Sequence, residues 1–251
     1  MPDRRATSFQ VFTTANDDGT EEFHFNMLGP VGEATDFVEL FQVLRNATEE
    51  QKVHMYLNTP GGRMDTMIQI INCMQNSKAT IVTHLEGLCH SAGTYIFLSG
   101  DEFVVNQNTL LLFHNYTGGA FGKGNEIVPQ VLANDMWVKQ INDDIYHPFL
   151  NRAEIDYINS GEDKWMYSEE VVSRLDTVIA EREEEVRKAT VRSRIAMKRQ
   201  VDALVAADEK LAEAEAVEAE ALEEKQKVLD LAEAELQLTK AEQLVFKLHE
   251  E

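Results

Sequence analysis

Residues 79–98 decide the fold. They open with Ala79-Thr80-Ile81-Val82-Thr83-His84, pass through Gly87-Leu88-Cys89-His90-Ser91-Ala92-Gly93, and close with Thr94-Tyr95-Ile96-Phe97-Leu98. The first run is β-branched and reads as a strand; the last reads as a helix. A serine between the two, flanked by small residues, sits where a hydroxyl is exposed and backbone N–H groups converge on an oxyanion. By residue type Ser91 is equally a helix N-cap. Its setting is not the Gly-x-Ser-x-Gly elbow.

The flanks carry the same alternation. Upstream, Glu22 to Met27 alternates like a strand, and Phe37, Leu40, Phe41 and Leu44 form a helical stripe within residues 33–45. Val53 to Leu57 reads as a strand that enters a glycine turn, Asn58-Thr59-Pro60-Gly61-Gly62. Met64, Met67, Ile68, Ile71 and Met74 then fall on one helical face, as core filler. Downstream, Phe103-Val104-Val105 and Leu110 to Phe113 read as strands, with His114 following at once. A long helix is predicted over about Asn125 to Leu150, with Pro129 tolerated in its first turns. Strands alternating with helices predict an α/β fold.

Three parts are expected. Residues 1–22 are polar, with a turn at Asn16-Asp17-Asp18-Gly19, and make an N-terminal arm or hairpin. Residues 23–180 are the α/β domain. Residues 181–251 have no Gly or Pro and one aromatic, Phe246, the composition of a long helix or coiled coil. Leucines stand at heptad spacing in Leu204/Leu211 and Leu222/Leu229/Leu236, with a register break between. A solvated, partly helical tail is the alternative.

Charge and composition narrow the function. The net charge is −21, which argues against nucleic acid and against an anionic membrane surface as partners. No apolar run is long enough to span a bilayer. Met1-Pro2-Asp3-Arg4-Arg5 lacks an apolar signal core, so a cytoplasmic protein is expected, and the sequons at Asn46 and Asn115 carry no meaning. Cys73 and Cys89 lack metal-ligand spacing and read as small buried residues, so no metal is expected. Gly118 to Gly124 superficially suggests a phosphate loop. It lacks the earlier glycine, and Gly124 stands where Ser or Thr must hold magnesium, so no ATP site or other cofactor is expected.

Four pieces together resemble the ClpP family of serine peptidases. They are Met55 to Gly62, Gly87 to Gly93, Leu112-Phe113-His114-Asn115-Tyr116-Thr117-Gly118-Gly119, and Asp163-Lys164-Trp165-Met166-Tyr167-Ser168-Glu169-Glu170. They occur in the family's order with similar gaps, across about Phe25 to Ala180. The resemblance implies a ClpP/crotonase-like spiral of strand–helix units. It implies Ser91 as nucleophile, His114 as base, Asp163 as the group that orients the base, and the N–H groups of Gly62 and Ala92 as the oxyanion hole. By residue type alone His54, His84, His90 and His147 rival His114, and Glu162 stands beside Asp163. The resemblance selects among them. The chain departs at Ala92, where the family commonly has Met, and at His90, where a small residue is usual. Both departures bear on the specificity pocket.

The function implied is a serine endopeptidase in homo-oligomeric rings, cleaving polypeptides, with any ATP dependence supplied by a partner ATPase. The helix after Gly124 would project and mediate ring pairing. The sheet edge beyond Gly62 and Gly119 can pair with an extended peptide. Three other readings stand beside it. A virus-encoded capsid-maturation (prohead) protease would carry a scaffold-like tail and meet capsid or scaffold proteins. In a non-catalytic ring-forming assembly protein the head would only form the ring and the acidic helical tail would do the work. A crotonase-type acyl-CoA enzyme would need the oxyanion glycines but no Ser–His–Asp set.

Overall fold

The computed structural model describes residues 10–249. Residues 1–9, including the start of the expected arm, lie outside them. The chain divides into two units, one ending at Arg182 and the other starting at Glu183.

The first unit is built on a seven-stranded sheet. β1 (Val11–Ala15) and β2 (Glu21–Leu28) are an antiparallel hairpin, closed by a turn in which Gly19 takes φ +85°. β3 (Lys52–Thr59) and β4 (Thr80–His90) continue the sheet in parallel. β5 (Glu102–Val105) and β6 (Leu110–Phe113) share one edge of β4, β5 on its first half and β6 on its second. β7 (Lys164–Tyr167) closes the order β1-β2-β3-β4-β6-β7, antiparallel to β6.

β4 is longer than its sequence pattern suggested. It runs to His90, where residues 79–84 alone read as strand. Gly87 serves close approach: a Cβ there would lie 2.7 Å from Asn58 Oδ1, which accepts the Leu88 N–H at 3.1 Å. The β3–β4 register shifts at this point, from Leu57↔Leu85 to Thr59↔Cys89. That bulge bends β4, and its far end then meets β6.

A 3-10 turn (Ala34–Phe37) leads into α1 (Val38–Asn46). α2 (Met64–Gln75) and α3 (Ala92–Leu98) follow their glycine turns. Leu40 and Leu44 of α1, and Met67 and Ile70 of α2, are fully buried in one core with Phe25, Met55 and Leu57 of the sheet. Every residue of α3 is buried, which is why it reads as an apolar run and not as a stripe. α4 (Gly124–Tyr146) stops short of Leu150 because Pro148 cannot continue it. α5 (Arg152–Asn159) and β7 were not read from the sequence.

α6 (Ser168–His249) starts well before residue 181. Its first turns bury Val171, Leu175 and Val178 in the core. Arg182 donates to the carbonyls of Leu98 (2.9 Å) and Gly100 (2.7 Å) and lies over the Phe103 ring. It thereby satisfies carbonyls that the end of α3 leaves without helical partners. The second unit is the rest of α6, where Val186, Met197, Leu204, Leu222 and Leu229 are exposed. The side chains of Leu211, Leu236 and Phe246 lie outside the described ones. No helix of the described residues is long and apolar enough to cross a membrane.

Candidate active site

Ser91 follows β4 directly, with φ +52° and ψ −122°. Such a conformation costs a non-glycine residue on the order of 1–3 kcal/mol and persists only where surrounding contacts hold it. Those contacts are visible. The Ser91 N–H donates to the Leu112 carbonyl at 2.9 Å. The Ser91 carbonyl accepts from the N–H and the Oγ1 of Thr94 at 2.9 and 2.7 Å. Ser91 occupies the N-cap position of α3, yet its side chain makes no cap hydrogen bond. The capping role that its residue type suggests is therefore unused.

Two strand registers bring the other candidates alongside. His114 is the residue after β6 and Asp163 the residue before β7. Phe113 pairs with Lys164, so His114 and Asp163 are the next pair outward on the same antiparallel ladder. His90 pairs with Leu112 across β4 and β6. Ser91, His114 and Asp163 thus stand at one edge of three adjacent strands, with neighbouring strands about 4.8 Å apart. Among the described residues no side-chain hydrogen bond joins the three; catalytic hydrogen bonds often tighten only in a substrate complex.

The glycine turn comes close to the same place. Val31 bridges Gly62 in parallel, donating to the Gly61 carbonyl (2.9 Å) and accepting from Arg63 N–H (2.8 Å). Successive N–H groups of an extended chain point opposite ways, so the Gly62 N–H faces away from Val31. On that other side lies the Ser91 turn. A Cβ on Gly61 would sit 2.5 Å from the His90 carbonyl, 2.7 Å from Ser91 Cβ and 2.9 Å from Ala92 N. Ala92 is the first residue of α3, whose N–H has no helical partner and adds the positive end of the helix.

The profile of the Clp protease family matches residues 27–182, a span holding Ser91, His114, Asp163 and the glycine turn. The chain belongs to the Clp protease family. It is thereby a serine-type peptidase by family. It is 29% identical over 147 residues to the ATP-dependent Clp protease proteolytic subunit of Deinococcus radiodurans, covering 53% of this chain and 70% of that one.

The sheet keeps His54 and His84 away from this edge. His54 Nδ1 and His84 Nε2 are hydrogen-bonded at 2.9 Å, and His24 stacks on His54. His84 lies seven residues before Ser91 along a strand, roughly 20 Å away. His147 follows α4 and precedes Pro148. His90 is closer, but its ring packs edge-on against Trp165 and its Nε2 is buried without a partner. Burial, and then the nearby His114, hold its pKa below the ordinary histidine value. Cys89 is fully buried, and burial pushes its thiol far up, so it is no rival nucleophile. Among the described residues, no three His, Cys, Asp or Glu side chains converge as metal ligands. At the glycine-rich 118–124 loop, the Glu126 carboxylate takes the Lys123 N–H at 3.1 Å, where a phosphate loop would need that space for an anion.

A buried polar chain supports the Ser91 turn, and sequence reasoning missed it. Thr94 Oγ1 gives its proton to the Ser91 carbonyl, so the Tyr146 hydroxyl, 2.8 Å away, donates to Thr94. Tyr146 stacks on Tyr95, whose hydroxyl donates to Asn142 Oδ1. Asn142 Nδ2 donates to Asn159 Oδ1 at 2.7 Å, and the Asn159 carbonyl accepts from Asn115 Nδ2 at 3.3 Å. Burial pushes the Tyr95 phenol up to about 12 and also raises Tyr146 well above the ordinary phenol value, so both remain donors. The chain therefore runs from Ser91 through α4 and α5 to the neighbour of His114. Its partners are up to 52 residues apart, so only a buried asparagine inside the α4 apolar pattern hinted at it.

Asp163 has its own anchor. Lys164 meets Glu154 at 3.0 Å, and both oxygens of Glu154 accept from Arg174 at 2.7 Å. One carboxylate thus fastens α5, β7 and α6 together beside Asp163.

Proposed function

We propose that this protein is a serine endopeptidase acting through Ser91, His114 and Asp163. One observation carries the reading. Ser91 is held at a strained positive φ, beside two glycines, with its hydroxyl free of capping. A fold maintains such a conformation where a reactive group must be presented.

Each residue then has one task. His114 takes the proton of Ser91 as its oxygen attacks the peptide carbonyl carbon. The carbonyl oxygen becomes an oxyanion and is stabilised by the N–H groups of Gly62 and Ala92. The C–N bond breaks as His114 returns the proton to the leaving amine. Water, deprotonated by His114, then releases the acid from Ser91. Asp163 orients the imidazole and stabilises its charged form. Peptide and water balance the reaction, so no cofactor is required.

The reading extends to assembly. α4 exposes Val128, Val131, Leu132 and Met136, an apolar stripe that a lone subunit leaves in water. We take it as the contact that pairs homo-oligomeric rings, which admit unfolded chains, with ATP used only by a partner ATPase. α6 extends to His249, well past residue 182 where the family match ends. That favours a second reading, a maturation protease whose tail meets scaffold or capsid proteins. Labelling of the purified protein by a fluorophosphonate, with Ser91→Ala as control, tests the catalytic assignment. Incorporation that persists in Ser91→Ala removes Ser91 from the role.

A further inference from the structure

The second unit carries an apolar pattern that reads alike in both directions. Val186, Met197, Leu204, Leu211 and Leu222 are separated by 11, 7, 7 and 11 residues. The sequence takes the pattern seven residues further on each side, to Ile179 and to Leu229. At about 100° per residue, all of these positions fall within about 20° of one line along the helix. Val186, Met197, Leu204 and Leu222 are 67, 69, 61 and 68% exposed, so no described residue covers the line at these four positions. The break between the two leucine heptads is one of the 11-residue steps. Heptad steps alone would drift around the helix; the two longer steps bring the mean back to about 3.6 residues per turn.

Charge follows the same symmetry with inverted sign. Residues 187–199 hold Arg187, Lys188, Arg192, Arg194, Lys198 and Arg199 and no Asp or Glu. Residues 209–221, their mirror image about Leu204, hold five Glu and one Lys. A basic block of this density stands out in a chain of net charge −21.

We propose that this segment pairs with the same segment of a second copy, antiparallel, on a two-fold axis at Leu204. Val186 of each copy then faces Leu222 of the other, Met197 faces position 211, and Leu204 faces itself. Each basic block lies against an acidic block. A parallel pair in register would set the same six cations against each other within a Debye length, so charge decides the orientation. The proposal goes beyond the peptidase reading and does not depend on it.

Cross-linking on the full chain tests it. In a Cys73→Ser background, Val186→Cys and Leu222→Cys proteins are prepared separately, mixed, and oxidised. The expected result is a disulfide-linked dimer in the mixture and little in either protein alone. Val186→Cys protein that cross-links to itself as well as it does in the mixture shows a parallel pair and overturns the proposal. A mixture without cross-link, its helix content intact by circular dichroism, overturns it also. Adding Leu204→Asp to both proteins places two carboxylates on the axis. The cross-link yield should then fall roughly tenfold or more; an unchanged yield overturns the placement of the axis. Peptide hydrolysis by the same samples is read separately, so loss of pairing and loss of the catalytic assignment are distinguishable.

Discussion

Ser91 N–H donates to the Leu112 carbonyl at 2.9 Å. This bond ties the turn that carries the proposed nucleophile to the strand that ends just before the proposed base. Positions 91 and 114 are distant in sequence, and the bond extends to the site the β4–β6 ladder that runs from Leu88↔Leu110 to His90↔Leu112. Two substitutions at Ser91 separate chemistry from strain. Ser91→Ala should lower peptide turnover by several orders of magnitude and leave the fold intact. Ser91→Gly should be equally inactive but more stable than Ser91→Ala, by on the order of 1 kcal/mol, because glycine is at ease at φ +52°. Denaturant melts of both proteins, with a fluorogenic peptide assay, check this; equal stabilities would show that the turn holds no strain.

Gly61 is the close-approach residue of the glycine turn. Gly61→Ala places a Cβ 2.5 Å from the His90 carbonyl oxygen at φ +84°. The turn must move away from Ser91, and with it the Gly62 N–H. The expected outcome is a loss of roughly 100-fold or more in kcat, the effect of losing an oxyanion donor. Wild-type kcat in this variant would exclude Gly62 from the oxyanion hole.

Asn142 is fully buried and serves both Tyr95 and Asn159. Asn142→Ala leaves the Tyr95 hydroxyl and the Asn159 amide oxygen without that partner, at a cost of roughly 1–3 kcal/mol each. A thermal melt should show the loss, and fluorophosphonate labelling of Ser91 should slow. A melt unchanged within error would mean that water replaces the side chain without penalty.

Glu154 sets an acid limit. Its bonds to Arg174, and then to Lys164, hold its pKa at about 2, against 4.5 for a free glutamate. A carboxyl lowered in the folded state contributes stability that is complete above the unfolded value and is lost as pH falls through the folded one. The contribution should therefore disappear between about pH 4.5 and 2. Glu154→Gln should be less stable at pH 7 and should show a smaller drop across that window. Parallel acid-unfolding curves for the two proteins would deny Glu154 this role.

The tail can be removed only below Arg182. A chain ending after Glu184 keeps the Arg182 bonds to Leu98 and Gly100 and should fold and hydrolyse small peptides. A chain ending after Ala180 loses them and should melt lower, by about 1–3 kcal/mol of stability. Light scattering with a peptide assay on each sample decides. An inactive or unfolded chain ending at Glu184 would show that the second unit is needed by the first.

The parts of the fold legible in the sequence are those with a local cause. α1 and α2 follow from the spacing of Leu40, Leu44, Met67 and Ile71; β3 and β6 follow from apolar runs that stop at turn residues. β7 was not legible because only Met166 of its four residues is buried, and four residues make no period. That Gly87 makes room for Asn58 was not legible either, because the two are far apart in sequence.

Sequence by itself determined the residue types at the site, the order of the four motifs, and the mirrored spacing and charge of the tail. These are properties of single positions and short intervals, which a linear pattern records. Tertiary structure alone decided that Ser91 is strained and uncapped, that His114 and Asp163 follow one another on a ladder, and that Tyr146, Asn142 and Asn159 support them. A hydrogen bond reaches about 3 Å whatever the distance along the chain. Which donor meets which acceptor across 17 or 52 residues is therefore settled by how the sheet bends and where the helices pack.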